Sequence, residues 1–161
     1  MKDLSDLFEH MVRDIYYAEN QILKHLPKMA EKASSGALSD AFSEHYEETG
    51  GHKENLEKVF EELGWDAKGV ECQAIDGILD EGKEIMEECE DDEACDAGML
   101  AAAQAVEHYE ITRYGTLVAW AQQLNKPKKV VDLLQANLDQ EYEADRKLSA
   151  IAEGSLNKKA A

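Results

Sequence analysis

The sequence predicts an all-α chain: a four-helix bundle with one long crossover that carries a short fifth helix. Three observations lead there. Apolar residues recur at three- and four-residue spacing through five segments. Proline and glycine are scarce, 2 and 10 in 161 residues, while Ala, Leu, Glu and Lys abound, a balance that favours long helices over strands and turns. The breaks between segments run short, long, short, as two antiparallel hairpins joined by a crossover require. A chain of 161 residues fits one domain, 1–161, and can bury one sizeable core.

The first helix is expected over 4–32. Leu4, Leu7, Phe8, Met11, Ile15, Ala18, Ile22, Leu26 and Met29 make its stripe. Pro27 lacks a backbone donor and is expected to bend the last turns; Ser34-Ser35-Gly36 then breaks the chain. The second helix spans 38–63 on Leu38, Ala41, Phe42, Leu56, Val59, Phe60 and Leu63, with Gly64 as the stop. Gly50-Gly51 lies in its middle, where each glycine costs roughly 1 kcal/mol relative to alanine. Such a local violation points to close backbone packing or a functional site.

A loop after Trp65 leads to a short helix over 74–88, with Ile75, Ile78, Leu79, Gly82, Ile85 and Met86 on its apolar face. The acidic run from Glu87 to Glu93 follows, and its last members suit the positive N-terminus of the next helix. That helix is expected over 94–124, ended by Asn125-Lys126-Pro127. The last runs over 127–153 on Leu134, Leu138, Leu148 and Ala152, with Gly154 as the stop and 155–161 frayed. Two hairpins and one long crossover are the ferritin-like topology.

Charge narrows the function classes. Thirty-five acidic against 17 basic residues give a net charge of -18, which disfavours nucleic acid and anionic membrane surfaces. No apolar run is long enough to span a bilayer, and the first ten residues do not read as a signal peptide, so a cytoplasmic protein is expected. Cys72, Cys89 and Cys95 show no CxxC spacing. A disulfide framework or zinc ribbon is therefore not expected, and the three read as small buried apolar residues.

The chemistry lies in acids on the wrong face. Glu19 interrupts the first stripe. His45, Glu48 and His52 share one face of the second helix, because spacings of three and four nearly eclipse. Glu107 and Glu110 lie on the stripe of Ala103, Val106, Tyr114, Leu117 and Ala121; Glu141 and Asp145 continue that of the last helix. Buried carboxylates are costly unless neutralised or paired, and the same faces offer few basic residues. Multivalent cations solve the problem. Carboxylate oxygen with imidazole suits iron or manganese, and the lack of thiolates argues against structural zinc. The expected ligands of two metal ions are Glu19, Glu48, His52, Glu107, Glu110, Glu141 and Asp145, with His45 the alternative histidine. Six carboxylates would be balanced by two trivalent ions, so an oxidised pair is expected. Tyr114 reads as packing or a hydrogen-bond donor.

The segments LFEHMVRDIYYAENQILKHLPKMAEKA, HYEETGGHKENLEKVFEELGW, AAQAVEHYEITRYGTLVAWAQQL and LLQANLDQEYEADRKLSAIAE resemble the YciF-like (YciE/YciF) family of bacterial stress proteins, within the ferritin-like superfamily. The resemblance implies a rubrerythrin-like dimetal position and a homodimer. It implies Glu19 as the single acid of the first helix, Glu48 and Glu141 as bridging acids, His52 as partner of Glu48, and Glu107/Glu110 as the Glu-x-x-Glu of the third long helix. Two departures from the pattern stand out: Glu-x-x-x-His in the second helix, and Glu-x-x-x-Asp without histidine in the fourth. A Cys-rich rubredoxin-like segment is lacking. The expected function is a di-iron carboxylate protein of stress response, reacting with oxygen or peroxide. The alternative is a non-enzymatic helical interaction protein with a weak or structural metal site. Iron storage is a third reading, without a visible cage-interface signature.

Overall fold

Helix α1 (Leu4–Lys32) starts where Asp3, in extended conformation, accepts the free N–H groups of Ser5 and Asp6 on its side chain. It runs without a break through Pro27. The computed structural model describes residues 1–161, the side chain of Ser155 excepted. Helix α2 (Gly36–Leu63) ends at Gly64, whose φ of 69° is the left-handed cap that the sequence suggests. Helices α3 (Gln73–Glu88), α4 (Asp92–Gln123) and α5 (Lys128–Ile151) follow, within two residues of the expected bounds.

Side-chain bonds between helices set their directions. Tyr16 bonds Glu57 and Ser39 bonds Ala30, so α1 and α2 are antiparallel. Asn55 bonds Asn137 and Lys147 bonds Glu48, so α2 and α5 are antiparallel. Gln104–Ser149 and Asn137–Tyr114 do the same for α4 and α5, and Ser34–Asp96 with Tyr114–Glu19 for α1 and α4. The four long helices thus close a ring in the order α1, α2, α5, α4, around a continuous core that includes Phe8, Ile15, Phe42, Leu56, Phe60, Leu100, Leu117, Leu134 and Leu148. Two hairpins with one crossover make the ferritin-like bundle expected from the sequence.

The crossover is fastened to α1. Arg13 donates to the carbonyls of Asp66 and Lys68, both at 2.9 Å, and its own carbonyl accepts from Val70 N–H at 3.1 Å. Helix α3 then lies against α4 and α1, burying Ile75, Leu79 and Gly82. The approach to α4 is close: a Cβ at Gly98 would stand 2.5 Å from Ile85 Cγ2.

The apolar face of α3 is thus covered by its own chain. Three expectations are corrected. Nothing lies within 4 Å of a Cβ built at Gly50 or Gly51, so close packing does not explain that pair. Gly154 does not stop the chain: a π-helical turn (Ala152–Leu156) and α6 (Asn157–Ala160) continue it. Burial of Leu156 against the core supplies the reason. Cys89 and Cys95 are joined in a disulfide. The tight α3–α4 turn brings their Cα atoms to 5.5 Å, a separation a disulfide spans. Cys72 is the buried thiol that the sequence reading expected of all three.

Candidate metal centre

The same helical period that builds the core carries polar groups into it. On α1, Glu19 follows Ala18 and precedes Ile22, both buried, and is itself wholly buried. On α2, His45, Thr49 and His52 take the inner face; the Thr49 hydroxyl donates to the His45 carbonyl at 2.7 Å. On α4, Glu107, Glu110 and Tyr114 are inward at spacings of three and four, and on α5 Asn137 and Glu141 are. Glu19, His52, Glu107, Glu110 and Glu141 are each at most 1% exposed.

These residues meet in two groups that share one member. Ligand atoms of His45, Glu107, Glu110 and Glu141 lie within 4.8 Å of one another; so do those of Glu19, His52 and Glu141. His45 Nε2 is 3.2 Å from Glu107 Oε1. His52 Nδ1 is 2.9 Å from Glu141 Oε1 and 3.5 Å from Glu19 Oε1. Each helix of the ring contributes, and Glu141 stands between the two groups.

A layer of neutral side chains holds these groups. His52 Nε2 meets Gln140 Oε1 at 3.0 Å. As a neutral imidazole with its N–H on that nitrogen, His52 would offer the lone pair of Nδ1 to an ion beside Glu19 and Glu141. Fixing one ring nitrogen by an outer carbonyl is how proteins orient a metal-binding histidine. The Tyr114 hydroxyl donates to Glu19 Oε1 and accepts from Asn137 Nδ2 at 3.0 Å. Asn137 also reaches the His52 carbonyl at 3.2 Å and accepts from Asn55 at 2.8 Å.

Electrostatics show the strain of crowding. Burial, then Glu141, Glu19 and Glu107, push the Glu110 carboxyl well above the ordinary range. Burial, then Glu107 and Glu19, do the same to Glu141, and burial raises Glu107 despite His45 and His52. Burial alone would depress His52, but Glu19 and Glu110 outweigh it and push it up to about 9. His45 is also raised, Glu107 and Glu48 overcoming its burial. Tyr114 is held as a neutral phenol by burial and by Glu19, Glu110 and Glu141. Without a cation the cluster therefore retains protons that a bound metal would displace.

Two of the expected ligands lie at the rim. Glu48 has a quarter of its side chain exposed (24%) and pairs with Lys147 at 3.3 Å. The neighbouring His45, then Lys147 against the opposing cost of burial, hold its carboxyl low. Asp145 is 23% exposed and pairs with His108 at 3.2 Å. Both histidines that the sequence left as alternatives face inward, one in each group. Asn137, Gln140 and Lys147 were not anticipated. Asn137 had a legible signal, since it falls three after Leu134 and four before Glu141 on the α5 stripe; Gln140 and Lys147 lie off that stripe and had none.

The residues fit a metal pair. Glu19 Oε2, His52 Nδ1, Glu107 Oε2, both nitrogens of His45 and both carboxylate oxygens of Glu110 and Glu141 are buried without a hydrogen-bond partner. Unpartnered buried polar atoms on this scale need a ligand or protons. All are oxygen or imidazole nitrogen, the donors of hard and borderline first-row ions.

Comparison with known proteins agrees with this architecture. Protein YciF of Escherichia coli (strain K12) is 42% identical over 161 residues, covering 99% of this chain and 96% of that one. The crystal structure of the E. coli stress protein YciF superposes with a TM-score of 0.92 at 41% identity, over 98% of this chain and 99% of that one. YcfI from Rhodopseudomonas palustris superposes with a TM-score of 0.90 at 48% identity, over 92% and 94%. Residues 3–161 match the family described as Domain of unknown function (DUF892), and the chain belongs to that family, the YciF-like proteins.

Proposed function

We propose that this chain is a ferritin-like dimetal carboxylate protein of bacterial stress response, holding two ions between α1, α2, α4 and α5. The observation that carries the reading is the pair of buried His/Glu groups sharing Glu141. One ion would be held by His45, Glu107 and Glu110, the other by Glu19 and His52, with Glu141 between them. Glu48, paired with Lys147, and Asp145, beside His108, were expected as ligands from the sequence; at the rim they would act as outer carboxylates.

This division alters the charge argument. Glu19, Glu107, Glu110 and Glu141 carry four negative charges when ionised, which two divalent ions balance. The expectation of a trivalent pair rested on six buried acids. The donor set suits iron first and manganese second. A bound iron pair would supply two-electron chemistry toward oxygen or peroxide. The chain's own residues would bind and orient the ions, exclude water, and hold a proton on the Tyr114 phenol beside Glu19. A cytoplasmic location and the homodimer that the family resemblance implies belong to the same proposal. Among the described residues no helix is long and apolar enough to cross a membrane. The dimer would have to use a surface other than the covered face of α3.

One observation favours the alternative, a helical interaction protein that does not depend on metal. His45 with Glu107 and His52 with Glu141 make two imidazole–carboxylate pairs, and the raised pKa of the Glu110 carboxyl lets that acid stay neutral. Such a core can persist without ions. Elemental analysis of protein purified without chelators, repeated on Glu141→Gln, decides. Two ions per wild-type chain and at most one in the variant support the dimetal reading, and peroxide consumption by the loaded protein tests its reactivity. No bound metal after anaerobic Fe(II) loading would transfer the case to the alternative.

A further inference from the structure

The buried cluster has a way to the surface. A small cavity opens between α2, α4 and α5, lined by Phe42, Glu44, His45, Glu48, Glu107 and Lys147 with three alanines and a leucine. Its free volume of about 20 Å³ is room for roughly one water-sized body. The polar groups along it are graded in depth. The Glu44 side chain is 63% exposed, Glu48 24%, His45 9% and Glu107 1%. They are also in sequence: His45 Nδ1 stands 3.9 Å from Glu48 Oε2, and His45 Nε2 stands 3.2 Å from Glu107 Oε1. Neither ring nitrogen has a hydrogen-bond partner. The imidazole is thus a buried, unpartnered donor spanning the outer acids and the inner ones.

Lys147 closes this path. It is the sole lysine or arginine among the lining residues, and its Nζ bridges Glu44 at 3.1 Å and Glu48 at 3.3 Å. The ammonium occupies the position where an incoming cation would first meet two carboxylates.

The geometry points to Glu44 and Glu48 as an outer station for divalent cations, guarded by Lys147, from which His45 passes the ion to Glu107. This rests on the dimetal reading above. With Lys147 in place the cavity has room for no more than about one water-sized body. Lys147 must swing out before a cation can take its place, and its half-exposed side chain (47%) has solvent to swing into. The bridge is also reversible, because partly exposed ion pairs are individually weak.

The test is the rate at which the full-length, metal-free protein takes up Co(II), followed by its absorbance, and the rate at which it yields Co(II) to a chelator. Lys147→Gln should speed both uptake and release by on the order of 10-fold, because an open passage serves both directions. Lys147→Arg keeps the bridge and should stay near wild type. Glu44→Gln should slow uptake, since it removes the outermost carboxylate. Circular dichroism confirms that each variant is folded. If wild type binds Co(II) but Lys147→Gln neither takes it up nor releases it faster, the guarded passage is wrong while the dimetal reading stands. If uptake speeds and release slows, Lys147 acts on affinity and not on passage, which also overturns the inference. If wild type binds no Co(II), both fall.

Discussion

Raising the pH of the metal-free protein from about 6 to about 9 should cost it about 3 kcal/mol of stability through His52 alone. The imidazole is 1% exposed, is pressed between Glu19 and Glu141, and has its pKa pushed from 6.5 up to about 9. A group whose folded pKa is raised binds its proton more tightly in the native state. Its stabilisation is full below pH 6.5 and is lost as pH climbs through 9. The raised carboxyls of Glu107, Glu110 and Glu141 have the same sign, with losses that begin above the ordinary carboxylate range. Glu48 has the opposite sign, but its depressed pKa places that loss on the acid side, outside this window. Urea unfolding of chelator-treated protein, followed by helix ellipticity, is the assay. With a slope near 2 kcal/mol/M the midpoint should fall by about 1.5 M across the range. His52→Gln should remove most of the fall between neutral pH and pH 9. A midpoint that is flat or rises across this window would refute the raised pKa of His52 beside Glu19 and Glu110.

Three further outcomes are expected. Tyr114→Phe removes a buried bond to Glu19 and an acceptor for Asn137, and should lower stability by about 2 kcal/mol in the same urea assay at neutral pH. Asp96 is 2% exposed and accepts from Ser34 N–H, Ser34 Oγ–H and Ser35 N–H at 2.7–2.9 Å; Asp96→Ala should loosen the α1–α2 turn and cost about 3 kcal/mol, read as a lower urea midpoint. The disulfide closes a short loop of six-residue separation, so reduction should cost about 2 kcal/mol, and thiol titration of the unfolded chain should count one free cysteine before reduction and three after it.

The sequence alone determined the helices and most of the depth. A stripe such as Ile15, Ala18, Ile22 and Leu26 has only one way to leave water, and an acid within it, such as Glu19, must go inside with its neighbours. Glu107 and Glu110 on α4 and Glu141 on α5 were legible for the same reason. Helical spacing reports angle only about a helix's own axis, however. His45, Glu48 and His52 share a face within the width of one stripe. Which of them point to the centre depends on how α2 is rotated against α1 and α5, a property of three helices and not of one. Asp145 follows Glu141 by four residues, yet the register against α4 sets it beside His108 at the rim. Lys147 guards the cluster because α5 runs antiparallel to α2 and brings it level with Glu44 and Glu48. The disulfide depended on the α3–α4 turn folding back, which no cysteine spacing announced. The surface that covers α3 also became visible only with its neighbours in place, because an apolar face in a sequence states a need for burial and does not name what meets it.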